Sequence, residues 1–131
     1  MKRTIMAAAM VAVAAQISFA LPSQASSLVG TWSGTGTAKQ ANGPREKVRC
    51  RITYSKVTAK LYKVRSVCAS TSTRVTHTGE VLQSSPTRFA GDFYVPSFDV
   101  TGRVRVRLNG SRQTVSFTST AGSGTVTLTR R

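Results

Sequence analysis

The sequence predicts an all-β protein, an eight-stranded antiparallel up-and-down barrel held by one disulfide. Polar and apolar residues alternate with a period of two in one stretch after another, which indicates half-buried strands, and no helical periodicity follows residue 25. Clusters of turn-forming residues separate the stretches, so neighbours along the chain are expected to pair. A meander of eight strands removes its exposed edges by closing into a barrel. An open sandwich is the alternative.

The N-terminus has the pattern of a secretory signal peptide. Lys2-Arg3 is a basic start, an apolar run extends to Ala15, and Ser23-Gln24-Ala25 is a small-x-Ala cleavage site. Cleavage after Ala20 is the alternative. The apolar run is too short to favour a membrane anchor.

This pattern divides the chain into a signal peptide at residues 1–25 and a single barrel domain at residues 26–131. Export predicts a periplasmic location. The only two cysteines of the chain are Cys50 and Cys68. An even number of cysteines in an exported protein predicts a disulfide.

The first predicted strand runs from Leu28 to Ala38. One of its faces carries Leu28 and Trp32, and the other residues on that face are small and mostly glycine. Glycine weakens a strand unless another backbone or a large side chain must come close. The Gln40–Pro44 cluster predicts the turn that follows.

The two cysteines define the second and third strands, at residues 47–54 and 62–68. Each stretch alternates, and each cysteine lies on the apolar face of its own stretch. If Cys50 faces Cys68, then Ile52 meets Ser66 and the turn falls near Thr58. Every inward residue then faces another inward residue, which predicts a hairpin joined by the disulfide.

Five further strands follow the hairpin. Asn109-Gly110 is a strong signal for a two-residue turn, because both positions tolerate positive φ. That turn would pair Val104 with Val115, and Ala121-Gly122-Ser123 would form the last turn. The five strands are Arg74 to Leu82, Arg88 to Val95, Phe98 to Leu108 with Phe98 inward, one containing Val115 and Phe117, and Thr125 to Arg130.

Gly30-Thr31-Trp32, at the start of the first strand, resembles the Gly-x-Trp signature of lipocalin-like (calycin) barrels. In that superfamily the tryptophan plugs the closed end of the barrel and an arginine near the last strand packs on it. The resemblance implies that Trp32 and Arg130 have these roles here.

Two narrower groups also resemble this chain. Trp32-x-Gly34-x-Gly36, Cys50-Arg51-x-Thr53-Tyr54 and Cys68-Ala69-Ser70 are similar to a group of small exported alphaproteobacterial proteins that have no assigned activity. The periplasmic inhibitors of alkaline metalloproteases are similar in export, strand number, Gly-x-Trp and cysteine spacing. That likeness implies a protease partner, although few residues separate Ala25 from Gly30, and those inhibitors use a longer N-terminal trunk.

Candidate catalytic residues are lacking in the sequence. His77 is the only histidine, and two cysteines and one histidine without close spacing do not favour a metal site. No nucleophile and base can be paired, so we predict that the protein is not an enzyme and has no cofactor. The parity of its strand points His77 inward, either as a core side chain or as a ligand contact at the mouth of the barrel.

The strongest remaining signal is positive charge, with a formal net charge of +15 and only four acids. Outward basic side chains predict binding to an anionic envelope component, namely lipopolysaccharide, an acidic glycan or a membrane surface; a small ligand inside the barrel is the other possibility. We expect the protein to be a monomer. Nucleic acid is not favoured, because Tyr94 is the only clear outward aromatic. A small outer-membrane barrel and a solvated, aggregation-resistant surface are the alternatives. The predicted anion-binding residues are Arg49, Arg51, Lys63, Arg65, Arg103, Arg105 and Arg107, with Arg112 opposite Arg107 and Asp99 as the nearest acid on that face.

Overall fold

A computed structural model describes residues 11–16 and 27–131, and the second range forms eight strands. They are β1 (Gly30–Gln40), β2 (Arg45–Lys56), β3 (Leu61–Ala69), β4 (Arg74–Ser85), β5 (Arg88–Val95), β6 (Val100–Asn109), β7 (Arg112–Ser119) and β8 (Gly122–Arg130). Each strand pairs antiparallel with the next, and β1 also pairs with β8, so the sheet closes into a barrel. The predicted fold class is confirmed.

The predicted signal peptide lies mostly outside the described residues, as do both cleavage sites, at Ala20 and Ala25. Residues 11–16 have no regular secondary structure. In the described ranges, 11–16 and 27–131, no helix is long and apolar enough to cross a membrane.

The apolar side chains of the strands face the interior of the barrel. In β2 and β6, buried and exposed residues alternate along nearly the whole strand, and the exposed positions are mainly basic. A barrel in the outer membrane needs an apolar band on its outer face, so this arrangement contradicts that alternative. The core consists of Leu28, Trp32, Val48, Cys50, Ile52, Tyr54, Tyr62, Cys68, Val81, Phe89, Phe93, Val95, Val104, Val106, Leu108, Val115, Val126 and Leu128.

The hairpin of β2 and β3 has the register that the cysteines predicted. Cys50 faces Cys68, Ile52 faces Ser66, and a disulfide joins the two cysteines inside the barrel. Both cysteines are buried. The disulfide therefore joins two adjacent strands from within the core, and it also forms part of the interior wall.

The register of β6 and β7 differs from the prediction by two residues. The loop is Gly110-Ser111, so Asn109 pairs with Arg112, and Val104 faces Phe117 rather than Val115. Only the first loop residue has a positive φ, Gly110 at 61°, which fits a turn with glycine in its first central position. A shift of two residues preserves the parity of the strand, so the inward and outward faces remain as predicted.

Several strand starts also differ from the prediction, and β1 begins at Gly30 rather than Leu28. β6 begins at Val100, because the amide of Phe98 donates a hydrogen bond to the Val95 carbonyl in a turn. Phe98 is consequently 51% exposed instead of inward. β8 begins at Gly122 rather than Thr125, which lengthens its pairing with β1.

Glycines in β1 allow the barrel to close. Gly34 and Gly36 are inward positions that face Leu128 and Val126 of β8. A Cβ atom at either glycine would overlap the β8 backbone at Thr127 or Thr125. The small inward residues of β1 therefore allow the backbones of β1 and β8 to approach closely, and such an approach is one reason that glycine occurs in strands.

We expect the Cys50→Ala, Cys68→Ala double variant to lose about 2–5 kcal/mol of unfolding free energy, because the unfolded chain gains freedom when the disulfide is removed. Urea unfolding with and without reductant measures this loss. Reductant should destabilise the unmodified protein and leave the double variant unchanged. If the unmodified protein without reductant were no more stable than the double variant, the structural role of the disulfide would be contradicted.

Candidate functional site

One end of the barrel is filled by Trp32, which has no exposed surface. Its indole Nε1 donates a hydrogen bond to the Leu28 carbonyl at 3.0 Å. The guanidinium carbon of Arg130 lies 4.3 Å from the centre of the ring, within the range of a cation–π contact. The buried Trp32 and the contact with Arg130 agree with what the resemblance to lipocalin-like barrels implies, whereas the hydrogen bond to Leu28 was not predicted.

Arg130 also fixes the segment that enters β1. Its guanidinium donates hydrogen bonds to the carbonyls of Val29, at 2.7 Å, and of Ser27. Leu28, between them, is fully buried. Residues 27–29 thus form part of the closed end of the barrel and are not free to act as an extended inhibitory trunk.

A buried polar pair lies beside the closed end and could not be recognised in the sequence. The hydroxyl of Tyr54 donates a hydrogen bond to Oε1 of Gln113 at 2.6 Å, and both residues are almost completely buried. Burial raises the pKa of Tyr54 well above its usual value, which keeps the hydroxyl protonated as a donor. This bond satisfies the hydroxyl and the carbonyl oxygen, which would otherwise be costly to bury, whereas Nε2 of Gln113 is buried without a hydrogen-bond partner within the described chain.

The opposite end of the barrel is open and contains a mouth cavity of about 110 Å³. Strand ends form its rim, with polar side chains such as Lys39, Glu46 and Ser119. A smaller inner cavity of about 30 Å³ lies deeper, between Ile52, Ser66 and the central residues of other strands. Both cavities are lined by Cys68, His77, Phe93 and Phe117. The mouth cavity is also lined by Val75, Val95 and Phe98.

Three rings form an aromatic layer between the two cavities: His77, Phe93 and Phe117. The His77 ring centre lies 5.2 Å from that of Phe93 and 5.6 Å from that of Phe117, and the two phenylalanines are 6.1 Å apart. A Cβ atom at Gly102 would overlap the Phe93 ring, and one at Gly124 would overlap the Phe117 ring. These two glycines therefore make the space that the rings occupy.

His77 brings a polar atom into this apolar layer. Its Nδ1 is buried and has no hydrogen-bond partner within the described chain. Burial lowers the pKa of His77, so the ring is neutral near pH 7. A buried polar atom without a partner is costly, and a ligand or water with a hydrogen-bonding group would remove that cost.

The predicted anion-binding residues are all outward, on three strands. All of them are exposed, and on β3 Lys63 faces Glu80 of β4 and Arg65 faces Thr78. The β6 residues are Arg103, Arg105 and Arg107, and the β2 residues are Arg49 and Arg51.

The acid nearest to the β6 arginines is not the one predicted. Asp99 lies in a turn and accepts a hydrogen bond from the Tyr94 hydroxyl at 2.9 Å. Asp92 of β5 instead faces Arg103, at 3.4 Å from its Nε, in an exposed ion pair of small energetic value. The partner of Arg107 was also wrong, because β5 and β7 place Arg88 and Thr114 opposite it instead of Arg112.

Comparison with known proteins finds similar solved structures, whereas no protein-family model and no curated protein match the chain. A redesigned β-barrel superposes with a TM-score of 0.64 at 20% identity, over 82% of this chain and 94% of that one. The redesigned barrel mFAP1, solved with bound DFHBI, gives 0.66 at 15% identity, over 79% and 94%. Rv2717c from M. tuberculosis gives 0.56 at 13% identity, over 79% and 92%. These likenesses show the barrel fold alone.

We expect Trp32→Ala to lower the unfolding free energy by about 3–5 kcal/mol, because it empties the closed end of the barrel. Trp32→Phe should cost less, since a ring still fills most of the space. Denaturant unfolding measures both changes. Trp32 is the only tryptophan, so its emission reports on this site directly. Solvent-exposed emission from the folded protein would contradict its burial.

We expect the unfolding free energy to decrease at acidic pH because His77 is buried in its neutral form. Because burial lowers its folded-state pKa, the unfolded chain takes up the proton first, as the pH falls below about 6.5. Stability should therefore be constant above that pH and decline below it, by at most about 1.4 kcal/mol per pH unit. Urea unfolding between pH 7.5 and 5 tests this, and His77→Phe should remove most of the slope. An unchanged slope in the variant would refute the assignment.

Proposed function

We propose that the protein is a binding protein rather than an enzyme, and that it takes a small, mainly apolar molecule with one hydrogen-bonding group into the open end of the barrel. The observation that carries this proposal is the unpartnered Nδ1 of His77 in an otherwise apolar layer between two cavities. Ligand sites are typically apolar concavities with a few polar groups that fix orientation.

The sizes of the cavities limit the ligand. A cavity of about 150 Å³ binds benzene, so the mouth, at about 110 Å³, suits a single ring or a short alkyl chain whose far end remains at the rim. The inner cavity, at about 30 Å³, has room for water but not for a ring. A ligand in the mouth would thus direct its polar group toward His77 and its apolar part against Val75, Val95 and Phe98.

The barrel fold supports this use of the interior. The redesigned barrel mFAP1 has the same architecture and was solved with DFHBI bound. Eight-stranded barrels have an interior that side chains fill or that holds one small ligand. In this chain the closed end is filled by Trp32, which leaves the open end as the place for a ligand.

Binding would take place outside the cytoplasm. We propose export to the periplasm through the N-terminal signal, which is supported by the disulfide between Cys50 and Cys68, because such bonds persist in oxidising compartments.

We propose that the protein acts as a monomer, since a closed barrel leaves no sheet edge for pairing.

Phenol and toluene test the proposal, because they share a ring and differ in one hydroxyl. A hydroxyl both donates and accepts, so it suits either tautomer of His77. We expect the ratio of phenol affinity to toluene affinity to fall about fivefold in His77→Phe, since a net hydrogen bond contributes about 0.5–1.5 kcal/mol. NMR titration of the folded protein measures all four affinities.

Ala38→Phe is the matched control, because Ala38 lines the mouth and a ring there would fill it. This variant should weaken phenol and toluene equally. The proposal fails if neither probe shifts the signals of His77 and Phe93, if Ala38→Phe leaves both affinities unchanged, or if His77→Phe leaves the ratio unchanged.

A further inference from the structure

The outer surface of β7, β8 and β1 carries mainly hydroxyl side chains, which we call the hydroxyl strip; the other outward residues of these strands are Lys39 and Arg112. Basic residues flank it on both sides, on β6 and on β2. Within these five strands, all of them among the described residues, no outward position is acidic, aromatic or aliphatic. The strip consists of Thr114, Ser116, Thr118, Ser123, Thr125, Thr127, Thr129, Thr31, Ser33, Thr35 and Thr37.

The strand registers arrange these side chains in continuous rows across the barrel. Two central rows start with a cation on β6, cross three hydroxyl positions and end with a cation on β2, while Lys39 and Arg112 each occupy one position in the rows on either side of them. One row is Arg107, Thr114, Thr127, Thr35 and Arg49, and the next is Arg105, Ser116, Thr125, Thr37 and Lys47.

The rows form a regular grid because β-sheet geometry is regular. Neighbouring strands lie about 4.8 Å apart, and outward residues on one strand repeat at about 6.7 Å. The hydroxyl strip is therefore about 10 Å wide between β7 and β1, with a column of cations along each side. The guanidinium of Arg45 already donates a hydrogen bond to the Thr37 hydroxyl, at 3.2 Å.

The opposite side of the barrel has a different composition. Glu80 of β4 and Asp92 of β5 face one another there, and exposed apolar side chains such as Leu82 and Tyr94 accompany them. The charge is therefore asymmetric around the barrel. Arg105, Arg107, Arg49 and Lys47 have no acid opposite them in their rows.

We propose that the hydroxyl strip and its two basic columns bind an anionic polysaccharide, a chain of sugar rings that carries carboxylate or phosphate groups. The guanidinium groups suit carboxylate and phosphate because they bind both in a bidentate manner. The rows of hydroxyls suit the sugar hydroxyls, since each side both donates and accepts.

The same surface does not suit the other common polyanions. Single-stranded nucleic acid is held by aromatic side chains on which the bases stack, and this face has none. Proteins that lie on a bilayer insert apolar and aromatic side chains into the interface, and these are also missing from the outward positions of the five strands. A sugar polymer needs neither feature.

Binding of a galacturonate hexamer, measured by calorimetry at low salt, tests the proposal. Arg49→Gln with Arg107→Gln removes a cation from each side of one row and should weaken binding about tenfold or more. Lys60→Gln with Arg74→Gln is the matched control, because it removes the same charge from the β2–β3 turn and from β4, and it should change the affinity less than about twofold. An equal loss in both double variants would show a net-charge effect and overturn the proposal.

A second variant tests the hydroxyls without changing the charge. Thr35→Val, Thr114→Val and Thr127→Val together keep the shape and the strand preference of the side chains. This triple variant should bind the hexamer about fivefold more weakly with an unchanged salt dependence. Unchanged affinity, or tighter binding of oligothymidylate or of phosphatidylglycerol vesicles than of the hexamer to the unmodified protein, would refute a polysaccharide site. Uncharged maltohexaose should not bind measurably.

Discussion

The pairing of β1 with β8 is the constraint on which the rest of the structure depends. It turns a meander of strands into a closed barrel, and it requires the two backbones to approach so closely that Gly34 and Gly36 leave no space for a Cβ atom. Without this contact both strands would be sheet edges, the interior would be open along one side, and the backbone groups of two strands would be available to other chains.

Closure gives the two ends of the barrel different characters. At one end Trp32 is buried beneath Arg130, whose hydrogen bonds hold residues 27–29 across the opening. At the other end no large side chain of the described residues, 11–16 and 27–131, fills the opening, and the layer formed by His77, Phe93 and Phe117 separates a mouth from a smaller inner cavity. The outside depends on the same closure, because the rows that link Arg107 to Arg49 cross from β8 to β1. The proposed interior and exterior sites therefore share one structural cause.

Much of the fold could be predicted, because a period of two fixes which side chains face inward and the turn residues mark where strands end. The hairpin register could be predicted because Cys50 and Cys68 restrict it. The β6–β7 register could not, since Gly110-Ser111 fits a two-residue turn as well as Asn109-Gly110 does, and a shift of two residues preserves the faces. The inward direction of His77 followed from parity, but the lack of a hydrogen-bond partner for its Nδ1 depends on neighbours from other strands, among them Phe93 of β5 and Phe117 of β7. The ion pair of Arg103 with Asp92 and the hydroxyl strip likewise need the registers of the closed barrel.

The most direct test of the central claim is an NMR measurement of contacts across the junction of β1 and β8 in the folded protein. Closure predicts backbone proton contacts between Gly34 and Leu128 and between Gly36 and Val126. It also predicts amide exchange in these strands as slow as in the β2–β3 hairpin, because paired amides exchange only when the structure opens. The absence of these contacts, together with fast exchange along β1 and β8, would show an open sheet and would contradict both proposed sites.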